Sequence, residues 1–236
     1  MNTTKQSPLH TIFEMQDKLN QRCGVYPDII SKDPEETKKW TLNMLRAYQQ
    51  ELAELMESIP WRWWENTKFD EQNARVELVD MIHFVVSMAI NVNLTPEEIF
   101  KITKSPKSKR EFSEDCFQAM FENQYDYIHQ KRYFLTPYEE ENITENLLKT
   151  NQEIAICISE ITDCVPWKWW AKYQETNMEE LRKKIAELFQ LTIQVGAILN
   201  MSPKTIFEAY LEKNKVNHDR QNQGYTEKDE DDCRHI

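Results

Sequence analysis

The sequence predicts an all-α fold, a helical bundle built from two diverged copies of one helix-pair unit. Apolar residues recur at helical spacing along most of the 236 residues, and no segment shows the apolar–polar alternation of a half-buried β-strand. Only three glycines occur, which disfavours sheets built on tight hairpins and excludes a glycine-rich phosphate loop. The third observation is an internal repeat that relates the two halves of the chain.

Helix starts are marked by a local signal that recurs along the chain. The pairs Asp33-Pro34, Thr95-Pro96, Thr136-Pro137 and Ser202-Pro203 each place a capping side chain before a proline at the first helical position. Together with the spacing of the apolar residues, these signals predict helices over about 10–22, 34–59, 71–92, 96–103, 111–130, 138–164, 178–200 and 203–217.

The repeat consists of two motifs that occur once in each half. The sequence PWRWW at 60–64 recurs as PWKWW at 166–170, and NLTPEEIF at 93–100 recurs as NMSPKTIF at 200–207. A single helix pair cannot bury its apolar face, so the second copy supplies the partner surface. We expect one domain over residues 1–226, with copies at about 36–104 and 139–217, and a disordered acidic tail over 227–236.

Composition restricts the classes of partner and compartment. The net charge of −11 disfavours binding to nucleic acid or to an anionic membrane surface. No apolar run is long enough to span a bilayer, and the N-terminal residues do not resemble a signal peptide. The five cysteines form no CxxC or Cys/His cluster, which indicates reduced thiols and no zinc site. We therefore expect a cytoplasmic protein.

Two pairs of carboxylates point to bound metal. Glu77 and Asp80 share one face of an otherwise apolar helix, where an uncompensated charge costs several kcal/mol or more. Glu51 and Glu54 repeat the spacing on the preceding helix, although this pair alone is equally consistent with a solvated helix face. Four carboxylates suit Mg²⁺, a hard cation that prefers oxygen ligands, and could hold two or more ions.

The second copy carries Cys157, Glu160, Lys184 and Glu187 at the matching positions, so it cannot hold the same metals. Its C-terminal stretch at 213–225 is instead rich in cations and amides. Arginine and lysine bind phosphate oxygens well, and amide side chains can read both edges of a pyrimidine. The other interpretation is a polar helix end followed by a tail. A composite site would combine the acids of one copy with the cations of the other.

Two further side chains have structural and functional interpretations. His83 lies one turn beyond Asp80 and could orient that carboxylate, but a satisfied core histidine is about as consistent with its position. Trp64 could stack on a nucleobase. Because the tryptophans at 167, 169 and 170 recur in the copy that lacks the acids, packing of the interhelical turn is the alternative role.

At these residues the chain resembles the dimeric, all-α dUTPases, relatives of the MazG-like nucleotide pyrophosphohydrolases in the all-α NTP pyrophosphatase superfamily. The matching segments are ELAEL at 51–55, the tryptophan stretch at 61–64, NARVELVDMIHF at 73–84 and KNKVNHDRQNQGY at 213–225. The paired acids are typical of the superfamily, whereas the C-terminal pattern indicates the dUTPase branch.

The resemblance implies a homodimer and a role for each matching residue. It implies that the catalytic acids that bind Mg²⁺ are Glu51, Glu54, Glu77 and Asp80. It implies that phosphate is bound by Lys213, Arg220 and Tyr225, and that the uracil and deoxyribose are faced by Gln16, Trp64 and Asn217. Two further residues, His83 and Asn73, would position these groups without contacting the substrate.

The function implied is Mg²⁺-dependent hydrolysis of dUTP, and also of dUDP. dUTP would give dUMP and pyrophosphate by attack of a metal-held water on the phosphate chain, with Glu51 as a candidate proton acceptor. One alternative is a MazG-like pyrophosphohydrolase of another nucleotide such as dCTP. The other is a non-catalytic helical protein that binds a partner.

Overall fold

Helices account for all the regular secondary structure in the part of the chain that the computed structural model describes, residues 7–104, 116–130, 140–172 and 175–222. This confirms the all-α prediction. The helices are α1 Pro8–Arg22, α2 Pro27–Ile30, α3 Pro34–Glu57, α4 Glu71–Asn91, α5 Pro96–Thr103, α6 Cys116–Gln130, α7 Glu140–Asp163, α8 Met178–Ile198 and α9 Pro203–Asn222.

Helix bounds differ from the predicted ones where local signals were weak. The four-residue α2 is too short to show periodicity, and its N-cap residue Tyr26 makes no side-chain capping bond. α1 begins two residues earlier than predicted, because the Ser7 side chain accepts a hydrogen bond from the amide of His10. α9 continues to Asn222, since no glycine or proline interrupts it. The predicted tail at 227–236 lies outside the described residues.

The two copies share details of their backbone. At the turn between α3 and α4, the amide of Asp70 donates to the carbonyl of Ser58 at 2.8 Å; between α7 and α8, Asn177 donates to Cys164 at 2.8 Å. Positive φ angles of 53° and 54° follow α4 and α8 at equivalent asparagines. The backbone is therefore alike at the positions that the sequence repeat pairs, namely the turns from α3 to α4 and from α7 to α8 and the ends of α4 and α8.

Helix α4 lies at the centre of the bundle. It packs against α3, against its counterpart α8, and against α1 and α9. Most of its residues are buried, including the polar Glu77, His83, Ser87 and Asn91. Among the described residues no single helix is long and apolar enough to cross a membrane; only α4 and α5 together reach that length and composition, with a bend of 100° between them.

The first and last described helices, α1 and α9, lie side by side and are linked by hydrogen bonds. Arg22, at the end of α1, contacts Nδ1 of His218 through Nη1 at 2.8 Å and donates from Nη2 to Oδ1 of Asn222 at 2.6 Å. Deeper in the interface, the hydroxyl of Tyr210 donates to Oε1 of Gln16 at 2.7 Å. These contacts hold α1 and α9 over one face of α4.

Gly196 lets α8 approach three neighbouring helices closely. A Cβ atom at this position would lie 2.8 Å from Cδ1 of Ile206 on α9, 3.2 Å from Cζ of Phe121 on α6 and 3.3 Å from Cδ2 of Leu78 on α4. Here the glycine is selected by packing and not by backbone conformation, because its φ is not in the positive region.

We expect Gly196→Ala to destabilise the protein, because overpacking costs about 1–3 kcal/mol and exceeds the gain of about 0.5–1 kcal/mol in helix propensity. Ile206→Val removes the closest atom, so Gly196→Ala should cost less in that background. A double-mutant cycle measured by urea unfolding tests this coupling. Equal costs of Gly196→Ala in both backgrounds would show that Ile206 does not limit the space.

Candidate active site

Three carboxylates from two helices converge beside a cavity. One oxygen of Glu51, from α3, and one each of Glu77 and Asp80, from α4, all lie within 4.8 Å of one another. Glu77 is only 4% exposed, and Asp80 has 14% of its side chain exposed. Three close oxygen donors, one of them deeply buried, form the donor set that a hard divalent cation requires. The residues present therefore fit Mg²⁺.

Glu54 is not one of these three acids. Its side chain is half-buried, and its Oε1 accepts a hydrogen bond from Nε2 of Gln50 at 3.1 Å. The helical spacing places Glu54 close to Glu51 on α3, but the structure does not bring its carboxylate to the cluster formed with α4. Its role as a fourth ligand stays a prediction.

A lysine from the second copy pairs with one acid of the first. Nζ of Lys213, on α9, lies 2.7 Å from Oδ2 of Asp80, and the lysine side chain is 3% exposed. Coulomb attraction is strong at such a site, since little water screens it. This ion pair brings together an acid of the first copy and a cation of the second, as a composite site would require.

The cavity has a volume of about 380 Å³ and is walled by α1, α3, α4 and α9. Glu51 and Asp80 line it on the acidic side. Other predicted site residues that line it are Gln16, His83, Lys213, Asn217 and Arg220.

A buried polar network that the sequence did not predict fixes the side chain of Gln16. Its Nε2 donates to Oδ1 of Asn20 and to Oγ of Ser87, both at 2.9 Å, while its Oε1 accepts from Tyr210. Asn20 follows Gln16 by four residues and Ser87 follows His83 by four, a spacing that places each pair on one helix face. That spacing was the signal available in the sequence.

The imidazole of His83 is buried, and burial favours its neutral form. Its Nδ1 lies 2.8 Å from the carbonyl oxygen of Val79, which can only accept, so Nδ1 carries the proton. Burial lowers the pKa of His83, and the neighbouring charge of Asp80 opposes this shift. The ring stacks on Tyr210 with centroids 4.4 Å apart. Nε2 is buried and has no hydrogen-bond partner among the described residues.

The sequence profile of a family described as dUTPase matches residues 8–225. The chain belongs to the dUTPase family. The enzyme is accordingly a dUTP diphosphatase, a hydrolase, as the sequence predicted. No curated protein gives a significant match.

Two predicted residues of this dUTPase family member lie elsewhere, and a third falls outside the described residues. Trp64 is 57% exposed and does not line the cavity; its rings form edge contacts with Trp61 and Trp63, as the matching tryptophans do in the second copy. This arrangement favours the packing role. Asn73 donates from Nδ2 to Oγ of Ser58 at 2.8 Å and so joins the start of α4 to the end of α3. Tyr225 lies outside the described residues.

The ion pair between Asp80 and Lys213 should couple the two copies of the dUTPase energetically. We expect Asp80→Asn and Lys213→Met each to destabilise the metal-free protein by about 3 kcal/mol, because each leaves a buried charge without this partner. The double variant should lose less than the sum of the two.

Urea unfolding in the presence of a chelator measures these changes. Lys215→Met is the control, since Lys215 is exposed on the same helix and its replacement should change stability by less than about 0.5 kcal/mol. Strict additivity of the Asp80 and Lys213 substitutions would contradict the coupling.

Proposed function

We propose that this dUTP diphosphatase depends on Mg²⁺, accepts dUDP as well as dUTP, and releases dUMP and pyrophosphate from dUTP. The observation that carries the proposal is the convergence of three carboxylate oxygens within 4.8 Å beside a lysine from the other copy. Opposite charges meet there at a cavity of a size suited to a small ligand.

Glu51, Glu77 and Asp80 would hold the metal, with Glu54 as a possible fourth ligand and two or more ions in the complete site. Bound Mg²⁺ would neutralise the phosphate chain and lower the pKa of water. Burial of Glu77 excludes water around its carboxylate and so strengthens its interaction with a cation. Glu51 is our candidate for the group that accepts the proton of the attacking water.

The cations of α9 would bind the phosphate chain. The ammonium of Lys213 is already oriented toward the acidic side of the cavity by Asp80, so little reorganisation is needed to stabilise charge on the leaving phosphate. Arg220 lines the same cavity and can bind phosphate oxygens with two parallel hydrogen bonds. Tyr225 would complete this set.

Gln16 and Asn217 would face the base and sugar. Both amides line the cavity, and the amide of Gln16 is fixed in orientation by Asn20, Ser87 and Tyr210. A fixed amide discriminates between donors and acceptors on a base, because a mismatched edge leaves a buried polar group without a partner.

We also propose that the enzyme is a cytoplasmic homodimer. The described cysteines form no disulfide, which suits a reducing compartment. Trp63 and Trp169 are each 89% exposed, and large exposed aromatic side chains are typical of surfaces that bind another protein. Sedimentation at several protein concentrations should give twice the monomer mass; a monomer at micromolar concentration would contradict this part of the proposal.

Replacement of Glu77 tests the metal site directly. We expect Glu77→Gln to lower the rate of pyrophosphate release from dUTP by at least about 10³-fold, because it removes a charged donor that is deeply buried in the cluster. The helix should stay folded, since a neutral amide costs less to bury than a carboxylate. Mg²⁺ should raise the Tm of the parent protein and not that of the variant.

The control is Glu71→Gln, at an exposed residue of the same helix that pairs with Arg75. The assay should include dUTP, dUDP, dCTP and dTTP with Mg²⁺. Retained turnover by Glu77→Gln would overturn the catalytic assignment. Faster hydrolysis of dCTP than of dUTP would favour the other pyrophosphohydrolase, and no turnover of any nucleotide would favour a non-catalytic protein.

A further inference from the structure

We propose that the ammonium of Lys184 occupies, in the second copy, the place that a divalent cation is proposed to take in the first. The second copy would thus retain a carboxylate cation site that is closed by an internal cation. This inference goes beyond the proposed function, because it concerns a cluster on α7 and α8 that takes no part in the candidate active site.

Sequence correspondence places Lys184 at the position of Glu77. Glu160 corresponds to Glu54, at an offset of 106 residues, and Glu187 corresponds to Asp80, at an offset of 107 residues like Lys184. The backbone supports this alignment, since the hydrogen bonds at the turns and the positive φ angles recur at the same offsets. The compared side chains therefore start from equivalent points of the two helix pairs.

The ammonium of Lys184 is surrounded by carboxylates. Its Nζ lies 2.9 Å from Oε2 of Glu160 and 2.8 Å from Oε2 of Glu187, and Oε1 of Glu180 follows at 3.9 Å. The bonds to Glu187 and Glu160 raise the pKa of Lys184, so the charge persists at neutral pH. One positive centre thus bridges acids from two helices, as a metal ion would.

Cys157, at the position of Glu51, does not join this cluster. Its Sγ donates to the backbone carbonyl of Lys184 at 3.4 Å, and burial raises the pKa of the thiol to about 12. The thiol is therefore neutral and contributes no charge. The second copy balances two close carboxylates with one ammonium.

Water and ions can reach the cluster. The side chains of Glu160 and Glu187 are 47% and 35% exposed, whereas that of Lys184 is 15% exposed. If the ammonium were removed, the two carboxylates would repel each other at a solvent-accessible position. A divalent cation with oxygen ligands could then enter and take over the role of the ammonium.

The test compares Lys184→Met with Lys183→Met, both in the Glu77→Gln background so that the first cluster is weakened. Lys183→Met is the matched control, because it removes the same charge one residue away. The side chain of Lys183 is exposed, and its Nζ lies 3.5 Å from Oε1 of Glu180. In a chelator, Lys184→Met should lower Tm by roughly 4–8 °C, and Lys183→Met by less than about 2 °C. Added Mn²⁺ should restore at least half of the loss only for Lys184→Met.

Two further variants keep the test decisive if Lys184→Met folds poorly. Lys184→Arg retains the positive charge and should keep the parent Tm with no response to Mn²⁺. Lys184→Glu recreates an acid at the position of Glu77 and should add one Mn²⁺ site, counted by electron paramagnetic resonance. Absence of both the Mn²⁺ rescue and the added site would overturn the inference. Because no nucleotide or turnover enters the readout, failure of the proposed function would not produce the same result.

Discussion

The cost of burying negative charge in α4 governs the arrangement of this protein. Glu77 is 4% exposed inside a helix whose neighbours are mostly apolar, and Asp80 lies one turn away. Carboxylates in such a place need nearby positive charge, because the interior solvates them poorly. Lys213 supplies part of that charge from α9, and the close approach of Glu51 from α3 adds a further negative group that a bound cation would balance.

The two copies balance the charge of their acids in different ways. The first copy keeps three converging acids and receives its lysine from the other copy, whereas the second places a lysine within its own helix between Glu160 and Glu187. The shared backbone scaffold is preserved in both. One copy therefore carries acids that line an open cavity, and the other carries an internally neutralised cluster.

The sequence predicted most of the fold because helix caps and apolar spacing are local signals. It also predicted a site that combines acids of one copy with cations of the other, because the four acids occur in the first copy and the cation-rich stretch occurs in the second. The network of Gln16, Asn20, Ser87 and Tyr210 was not predicted, because it depends on how α1 and α9 cross α4. Likewise, residue spacing on α3 alone cannot show that Glu51, and not Glu54, joins the group of three close acids, because this depends on how α3 packs against α4.

The contact of Arg22 with His218 and Asn222 joins residues that are 196 and 200 positions apart in the chain. The cavity beside it has walls from α1, α3, α4 and α9, so the wall that α9 provides is synthesised after the other three. The acids of α3 and α4 are likewise made before Lys213. Nascent protein therefore passes through a period in which the acidic half exists without its cationic half, and the synthesis and packing of α9 are what complete the binding site.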